Sequence, residues 1–565
     1  MYQRFDNTRQ QVINSRLDSL IAEGKMLGGG VAGIAGSDSY QFVSGFTDIA
    51  KTKPFTGKTI IRQASDGKPM STIAFLKLVQ DGLITGWEDL AVYFPAFANT
   101  KVINPYMVDG QIFTNIIWAT SGSSILQVRQ IGHGLASGDF IGIKGAGPVQ
   151  GIVAAQINKI HIVTVLDANT YTITVTSLAA GTSTVGEGGV ITITKLTSSV
   201  KQTALQGVTY YYTELPLSRP IKTMDIMEHT LGYLYREIFL STTFGYADGS
   251  TDAVKVQKRN IQAALLSEKL LPAGRPDKPL PLSSGTLADW ANTLAAVPLL
   301  FQPGAEVSYG PQLNLLGALI EKLTGKTLEN YFKDEITGPL KMTDTGFFIQ
   351  NDDPTRAEKL SRIQPLYLSF APNSFIDINN VVVGPDGLPF GYGDYFFGTD
   401  QPKKLALIAG GMYSTLEDRS KFYRMLLNDG RTPDGKILIS PAIISLLSQN
   451  HIKDYPMWTP LYAPSTQFRW GLGVGVQNGT NDQETLSLTG QTRSGIFWSG
   501  AFGTAFTVDY ANDTSYNFVM NTAYAYPLTA PKTLLAATHM SALIVLNPKS
   551  GKNVDARLKQ KSGWW

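Results

Sequence analysis

A run of about 95 residues almost without helix formers, set between two stretches of helical spacing, constrains this chain more than any other feature. From about Phe113 to Val208 the sequence is rich in Thr, Ile, Val and Gly. Alternating segments such as IHIVTVL and TYTITVT are broken by the turn signals SGD, DAN and GEGG. Period-two alternation buries one face of a strand and leaves the other in water, so the segment reads as a separate all-β module. The flanks differ. Residues 7–24 place Val12, Ile13, Leu17, Leu20 and Ile21 at helical spacing. MLGGGVAGIAGSDSYQFVSGF then reads as two short strands about a Gly-Ser-Asp turn, and residues 71–86 set Ile73, Leu76, Val79 and Leu83 on one helical stripe. Beyond the module, helical texture returns with PLSRPIKTMDIMEHTLGYLY and runs past Ile320. From Phe468 onward the runs WGLGVGV, SGIFWSG, GTAFTVD and YNFVMNT read as strands. The outer strands are expected to pair into one sheet, with the helices as a second lobe. The fold class is therefore α/β (α+β), an antiparallel sheet flanked by helices plus a helical lobe, with an inserted all-β domain. The expected divisions are 1–112, 113–208, 209–530, and a C-terminal helix and tail over 531–565.

Composition removes several function classes. The 565 residues are 43% hydrophobic and 16% charged, which gives ample core and excludes intrinsic disorder. Lys and Arg number 48 against 45 Asp and Glu, a net +3 too balanced for nucleic acid as the main partner. The absence of cysteine excludes thiolate zinc, disulfide scaffolds and a cysteine nucleophile. His133, His161, His229, His451 and His539 are scattered and form no H-E-x-x-H, so no metal site is expected. No organic cofactor is implied either. Gly28, Gly30 and Gly33 match G-x-G-x-x-G, but the motif follows a helix and enters a strand, the wrong context for a dinucleotide. The N-terminus shows no apolar signal region. The longest apolar stretch, Leu534–Leu546, is interrupted by His539 and Ser541 and is too short for a membrane span, so it reads as a buried C-terminal helix.

Chemistry enters at Ser65-Asp66-Gly67-Lys68. Residues i and i+3 share one helix face, so the Ser65 hydroxyl and the Lys68 amine lie close together. A serine hydroxyl is a weak nucleophile until an adjacent base takes its proton, and a desolvated lysine supplies such a base. A helix N-terminus adds a positive field at the developing oxyanion. The S-x-x-K spacing alone occurs once or twice by chance in a chain this long, roughly. A second copy, Ser198-Ser199-Val200-Lys201, stands at the rim of the β module and reads as coincidence.

The surroundings of the first copy are more specific. IIRQASDGKPMSTIAFLKLVQDGLITGWEDLAVYFPAF resembles the active-site helix of the serine β-lactamase and penicillin-binding-protein superfamily, closest to class C β-lactamases and family VIII carboxylesterases. RPIKTMDIMEHTLGY, PGAEVSYGPQLNLLGALIEKLTGKTLENYF, GGMYSTLEDRSKFYRMLLNDG and GIFWSGAFGTAFTVD resemble further family segments in the family's order. The resemblance covers about 10–108 and 210–525. It implies a β-lactamase-like fold and a serine hydrolase working through an acyl-enzyme. Ser65 would be the acylated nucleophile, Lys68 its base, and Tyr309 the group that moves the proton to the leaving group. Trp498, Ser499 and Gly500 occupy the place of the K-T-G triplet and would bind substrate. The backbone amides of Ser65 and Ala501 would form the oxyanion hole.

Two departures bear on substrate. Trp498 replaces the triplet's lysine, and Tyr309-Gly310-Pro311 replaces Y-x-N, where proline offers neither an amide donor nor a side-chain acceptor. The first points to small-molecule or cell-surface esters and the second weighs against efficient β-lactam or D-Ala-D-Ala recognition; amides as further substrates, and a β-lactamase or D-Ala-D-Ala peptidase-like enzyme, are the alternatives. Ser65 as a simple helix N-cap and Tyr309 as a core aromatic are the bland alternatives, and His229 reads as structural because the mechanism already has its base. The segment GHGLASGDFIGIKG…NKIHIVTVLDANTYTIT resembles small β modules of phage tail and fibre proteins. That likeness implies a virion-associated protein, a homo-oligomer or virion assembly through the module, or a non-catalytic adhesion role on a hydrolase scaffold. Without it, a cytoplasmic enzyme is expected.

Overall fold

The computed structural model describes residues 7–107, 110–205, 207–235, 252–270, 286–377, 406–452, 469–477, 495–510, 513–520 and 522–524. The helix expected over Leu534–Leu546 and the histidine at 539 lie outside the described residues.

The outer strands do pair. The strands β1 (Gly28–Ala35) and β2 (Asp38–Gly45) turn about Gly36, whose φ of +59° suits glycine. β1 also pairs antiparallel with Thr514–Val519, matching Gly30 to Val519 and Ala35 to Thr514. The seven-stranded sheet then runs, from its far edge, Arg469–Trp470, Gly475–Gln477, Gly495–Gly500, Thr504–Asp509, Thr514–Val519, β1, β2. Gly28, Gly30 and Gly33 thus lie inside an antiparallel strand, not at a helix start.

Strand alternation sends neighbouring side chains to opposite faces. Val31 and Tyr516 meet Ile13 of the helix α1 (Asn7–Ala22), while Ala32 and Val519 meet Leu416 of the helix Leu416–Leu427. Thr415 caps that second helix by accepting from the Asp418 amide. A larger core joins the helix α2 (Lys68–Gln80) to helices Leu287–Ala295 and Asn314–Thr324, and takes in Ile496, Phe497 and Trp498 from the sheet. Every residue from Lys68 to Leu76 in α2 is buried. Its buried Ile73, Phe75, Leu76 and Leu78 contribute about 1.5–3 kcal/mol each, and the buried polar Lys68 and Ser71 are met by the carbonyls of Ala409 and Ile408.

Two local expectations are corrected. The helix expected over 71–86 runs from Lys68 to Gln80; Gly82 takes φ +75° and Leu83 is 50% exposed beyond it. In the segment expected to be helical from Pro216, the only helix before residue 236 is Met224–Met227. His229 (φ +58°) and Gly232 (φ +98°) adopt backbone angles no right-handed helix allows.

Between the outer parts lie two four-stranded sheets. One orders Gln111–Thr114, Val190–Leu196, Phe140–Lys144 and Ile160–Ile162; the other Thr164–Asp167, Thr170–Thr174, Ile125–Arg129 and Ile117–Ala119. They enclose their own core, including Leu126, Val128, Ile141, Ile143, Tyr171 and Ile191. A three-stranded sheet of Lys201–Leu205, Val208–Leu215 and Val102–Pro105 follows, and the helix Ala253–Leu270 packs on it. Ser198 is exposed and Lys201 pairs with Glu214 at 2.7 Å, so the second S-x-x-K copy is surface chain. Among the described residues no helix is long and apolar enough to cross a membrane.

Candidate active site

The site is built on a turn between a strand and a buried helix. Ile61 and Arg62 pair with Ser414 and Tyr413, and the Gln63 amide donates to Met412 O at 2.9 Å. Ala64 then takes φ +50°, a left-handed angle costing an L-residue about 1–2 kcal/mol, and the chain enters a 3₁₀ turn over Ala64–Gly67. α2 continues directly, with Pro69 in its first turn where a missing N–H costs nothing. Within 61–70 Ser65 alone reaches the surface. Its amide lies in the first turn of the 3₁₀ segment, where backbone donors have no intrahelical acceptor.

Lys68 is wholly buried. Its Nζ donates to Ala409 O at 2.9 Å and stands 4.9 Å from the Tyr309 ring centroid and 5.5 Å from that of Tyr235. Burial holds the amine well below the usual lysine range, favouring the neutral form that accepts a proton. Tyr309 precedes the 3₁₀ turn Pro311–Leu313, which leads into helix Asn314–Thr324. Its hydroxyl accepts from Trp498 Nε1 at 3.2 Å. The tyrosine ring stacks on His229 (5.3 Å between centroids, 27°) and lies 5.3 Å from Trp498.

Trp498 is buried on strand Gly495–Gly500, Ser499 and Gly500 are partly exposed, and Ala501 is exposed just past the strand end. A Cβ at Gly500 would fall 2.2 Å from Gln63 O and 3.3 Å from Ala64 Cβ. The strand end therefore abuts the turn carrying Ser65, and only glycine permits that approach. Lys68, Tyr309 and Trp498 are brought together by direct contacts; Gly500 meets Gln63 and Ala64 of the turn that carries Ser65; Ala501 sits one residue beyond it.

Ala409, Asn314 and Trp470 were not singled out from sequence; His229 was, as structural. Ala409 works through its backbone: its carbonyl receives Lys68 and its amide donates to Asn314 Oδ1 at 2.9 Å. With Pro311 in the motif position usually filled by asparagine, a buried asparagine three residues later props the loop that receives the lysine. Trp470 completes the aromatic wall, 4.5 Å from Trp498 and 4.9 Å from His229 between centroids. His229 is fully buried and accepts at Nδ1 from Gln312 Nε2 at 2.8 Å; burial, then the Lys68 charge, holds it well below the usual histidine range. A neutral ring packed on Tyr309 and Trp470 agrees with a structural role. Among the described residues no group of acidic or histidine side chains is arranged to hold a metal ion.

The beta-lactamase family model matches residues 174–539, a span that holds Tyr309 and Trp498 but begins after Ser65 and Lys68. Protein Rv1367c of Mycobacterium tuberculosis is 28% identical over 243 residues, 43% of this chain and 55% of that protein. The lovastatin esterase of Penicillium rubens is 31% identical over 156 residues, 27% of this chain and 33% of the esterase. The matched region spans about half the length of the first of these relatives and a third of the second. Among solved structures, EstCE1, a hydrolase with promiscuous acyltransferase activity, superposes with a TM-score of 0.55 at 16% identity, covering 94% of this chain and 98% of its own. Unliganded simvastatin synthase LovD from Aspergillus terreus also reaches 0.55, at 15% identity over 95% and 98% of the two chains. These two likenesses establish the fold.

Proposed function

Because the chain belongs to the beta-lactamase family, we propose that it is a serine hydrolase cleaving carboxylic esters through an acyl-enzyme on Ser65. One observation carries the reading: a wholly buried lysine, one turn from a partly exposed serine, with its amine against the ring of Tyr309. In this reading neutral Lys68 takes the Ser65 proton as Oγ attacks the ester carbonyl. The oxyanion forms between the Ser65 and Ala501 amides, preorganised donors that need no rearrangement during reaction. Tyr309, whose hydroxyl is already held by Trp498 Nε1, passes its proton to the departing alkoxide and takes one from protonated Lys68, which returns the amine to its neutral form. The bond from Ser65 Oγ to the acyl carbon forms as the bond to the leaving oxygen breaks; water then attacks the acyl-enzyme and restores Ser65.

The substrate class is read from what is missing. Trp498, buried against Tyr309 and Trp470, stands where a lysine would bind a drug carboxylate, so this reading leaves such an anion without that cation. The names of the relatives agree: one is an esterase and one solved neighbour a hydrolase. p-Nitrophenyl butyrate should therefore be turned over with a higher kcat/KM than nitrocefin. Ser65→Ala should remove several orders of magnitude of that rate with the circular dichroism spectrum unchanged. Equal efficiency on the two substrates would return the assignment to a β-lactamase; retained ester turnover in Ser65→Ala would remove Ser65 as nucleophile.

A further inference from the structure

The proposed mechanism uses neither Asp66 nor Arg419, yet they form a completely buried ion pair one residue from Ser65. Such a pair is a weak source of stability compared with apolar residues of the same volume. Its placement is more informative. Arg419 projects from helix Leu416–Leu427 into the seam between the nucleophile turn and the sheet. On the turn it holds the Asp66 carboxylate and donates from Nη1 to Gln63 Oε1 at 3.3 Å. On the sheet it donates from Nη2 to Ala505 O at 3.2 Å and from Nε to Asn517 Oδ1 at 3.4 Å. Nη2 also reaches the Tyr423 hydroxyl at 3.4 Å, and that ring stacks on Phe506.

The register gives these bonds their meaning. Ala505 is paired with Ser499 and Thr504 with Gly500, and the hairpin between them carries Ala501. Thr504 Oγ1 donates to Gln63 O at 2.7 Å, a second tie across the same seam. One planar guanidinium therefore touches both the segment that presents the Ser65 amide and the hairpin that presents the Ala501 amide. Its rigid fork fixes distances in a way a flexible ammonium does not. Burial disfavours the guanidinium charge, Asp66 and then Tyr423 favour it, and the net direction is upward, while burial raises the Asp66 carboxyl in turn.

We propose that Arg419, anchored by Asp66, is a positioning residue that sets the spacing between the two oxyanion-hole amides. The inference rests on the hydrolase reading above. A misplaced donor weakens the tetrahedral state more than the bound ester, because it is aimed at where charge develops.

The test uses the full chain with two variants. Asp66→Leu/Arg419→Met removes both charges at similar volume; Arg419→Lys keeps a charge and loses the fork. Kinetics on p-nitrophenyl butyrate are read beside inhibition by phenylboronic acid, which forms a tetrahedral adduct on an activated serine. The double variant should lose about 10²-fold in kcat and in boronate affinity, with the ester KM within about threefold and the melting transition cooperative. Arg419→Lys should lose about tenfold in the same two quantities. A folded variant with kcat and boronate affinity near those of the native chain overturns the proposal. So does an equal loss in ester KM and boronate affinity, and so does failure of both variants to fold, which would make the pair purely structural. A native chain inert to p-nitrophenyl butyrate and to a fluorophosphonate probe at Ser65 overturns the hydrolase reading and the clamp together.

Discussion

At the residue scale the chemistry depends on a lysine that cannot reach water. Lys68 is buried without a carboxylate among the causes of its shift, so desolvation alone drives it toward the free amine. Two outcomes follow. The acid limb of kcat/KM against pH should fall below the ordinary lysine value of about 10.4, and Lys68→Ala should abolish that limb. Because the folded state binds this proton less readily than the unfolded chain, native stability rises with pH up to the unfolded lysine pKa. The thermal advantage of Lys68→Met over the native chain should therefore shrink as buffers are raised from neutral toward that value. Lys68→Ala and Tyr309→Phe should each cost at least ~10²-fold in kcat. Their combination should cost less than the product if the amine, 4.9 Å from the centroid of the tyrosine ring, and the phenol share one proton path. Strictly multiplicative losses would separate them.

At the scale of elements the decisive contact is between a strand end and a 3₁₀ turn. Gly500 packs where a side chain would strike Gln63 O at 2.2 Å and Thr504 Oγ1 at 2.3 Å, and a backbone oxygen held in a turn gives way only if the turn moves. Gly500→Ala should fold, since the strand remains laddered to Thr504–Asp509, but push the Ala501 amide away from Ser65. We expect kcat on p-nitrophenyl butyrate to drop by about 10²-fold, the scale for one lost oxyanion donor, with a melting temperature within a few degrees of native. Unchanged turnover in Gly500→Ala would show that the strand end does not shape the hole. The loop Ala406–Met412 plays the matching part on the other side: its carbonyls at Ile408 and Ala409 receive Ser71 and Lys68 from α2.

At the scale of the whole molecule, the eight strands within 111–196 stand apart from the catalytic machinery. None of Ser65, Lys68, Tyr309, Trp498, Ser499, Gly500 or Ala501 lies among them, and they close on a separate core. We propose that this module folds as a unit of its own and serves contact rather than catalysis. Loop-closure entropy grows only about 0.6 kcal/mol per doubling of length, so the host tolerates such an insertion cheaply. Replacing 111–196 by a short Gly/Ser linker should leave a soluble protein whose kcat/KM on p-nitrophenyl butyrate stays within about threefold. The module also presents apolar side chains to solvent, among them Ile131 at 89% exposed and Ile112 at 71%. Losses should appear instead in self-association, measured by sedimentation, or in binding of bulky substrates. A trimmed protein that folds but has lost small-ester turnover would place the module in the active site.

What the amino-acid order determined by itself is what depends on near neighbours. Alternation in the inserted module, as at IHIVTVL and TYTITVT, the helical spacing in α1 and α2, and the three-residue spacing of Ser65 and Lys68 are all properties of a local backbone period. The same logic erred where single backbone angles intervene, as at Gly82 and His229, because periodicity carries no record of a left-handed φ. Tertiary structure alone decided which lysine loses its water and what receives it. Ala409 lies 341 positions from Lys68, and Arg419 reaches Gln63 from 356 positions away. Burial, close approach and the pairing of buried charges arise only when segments so far apart in the chain share one core, and no local pattern encodes that meeting.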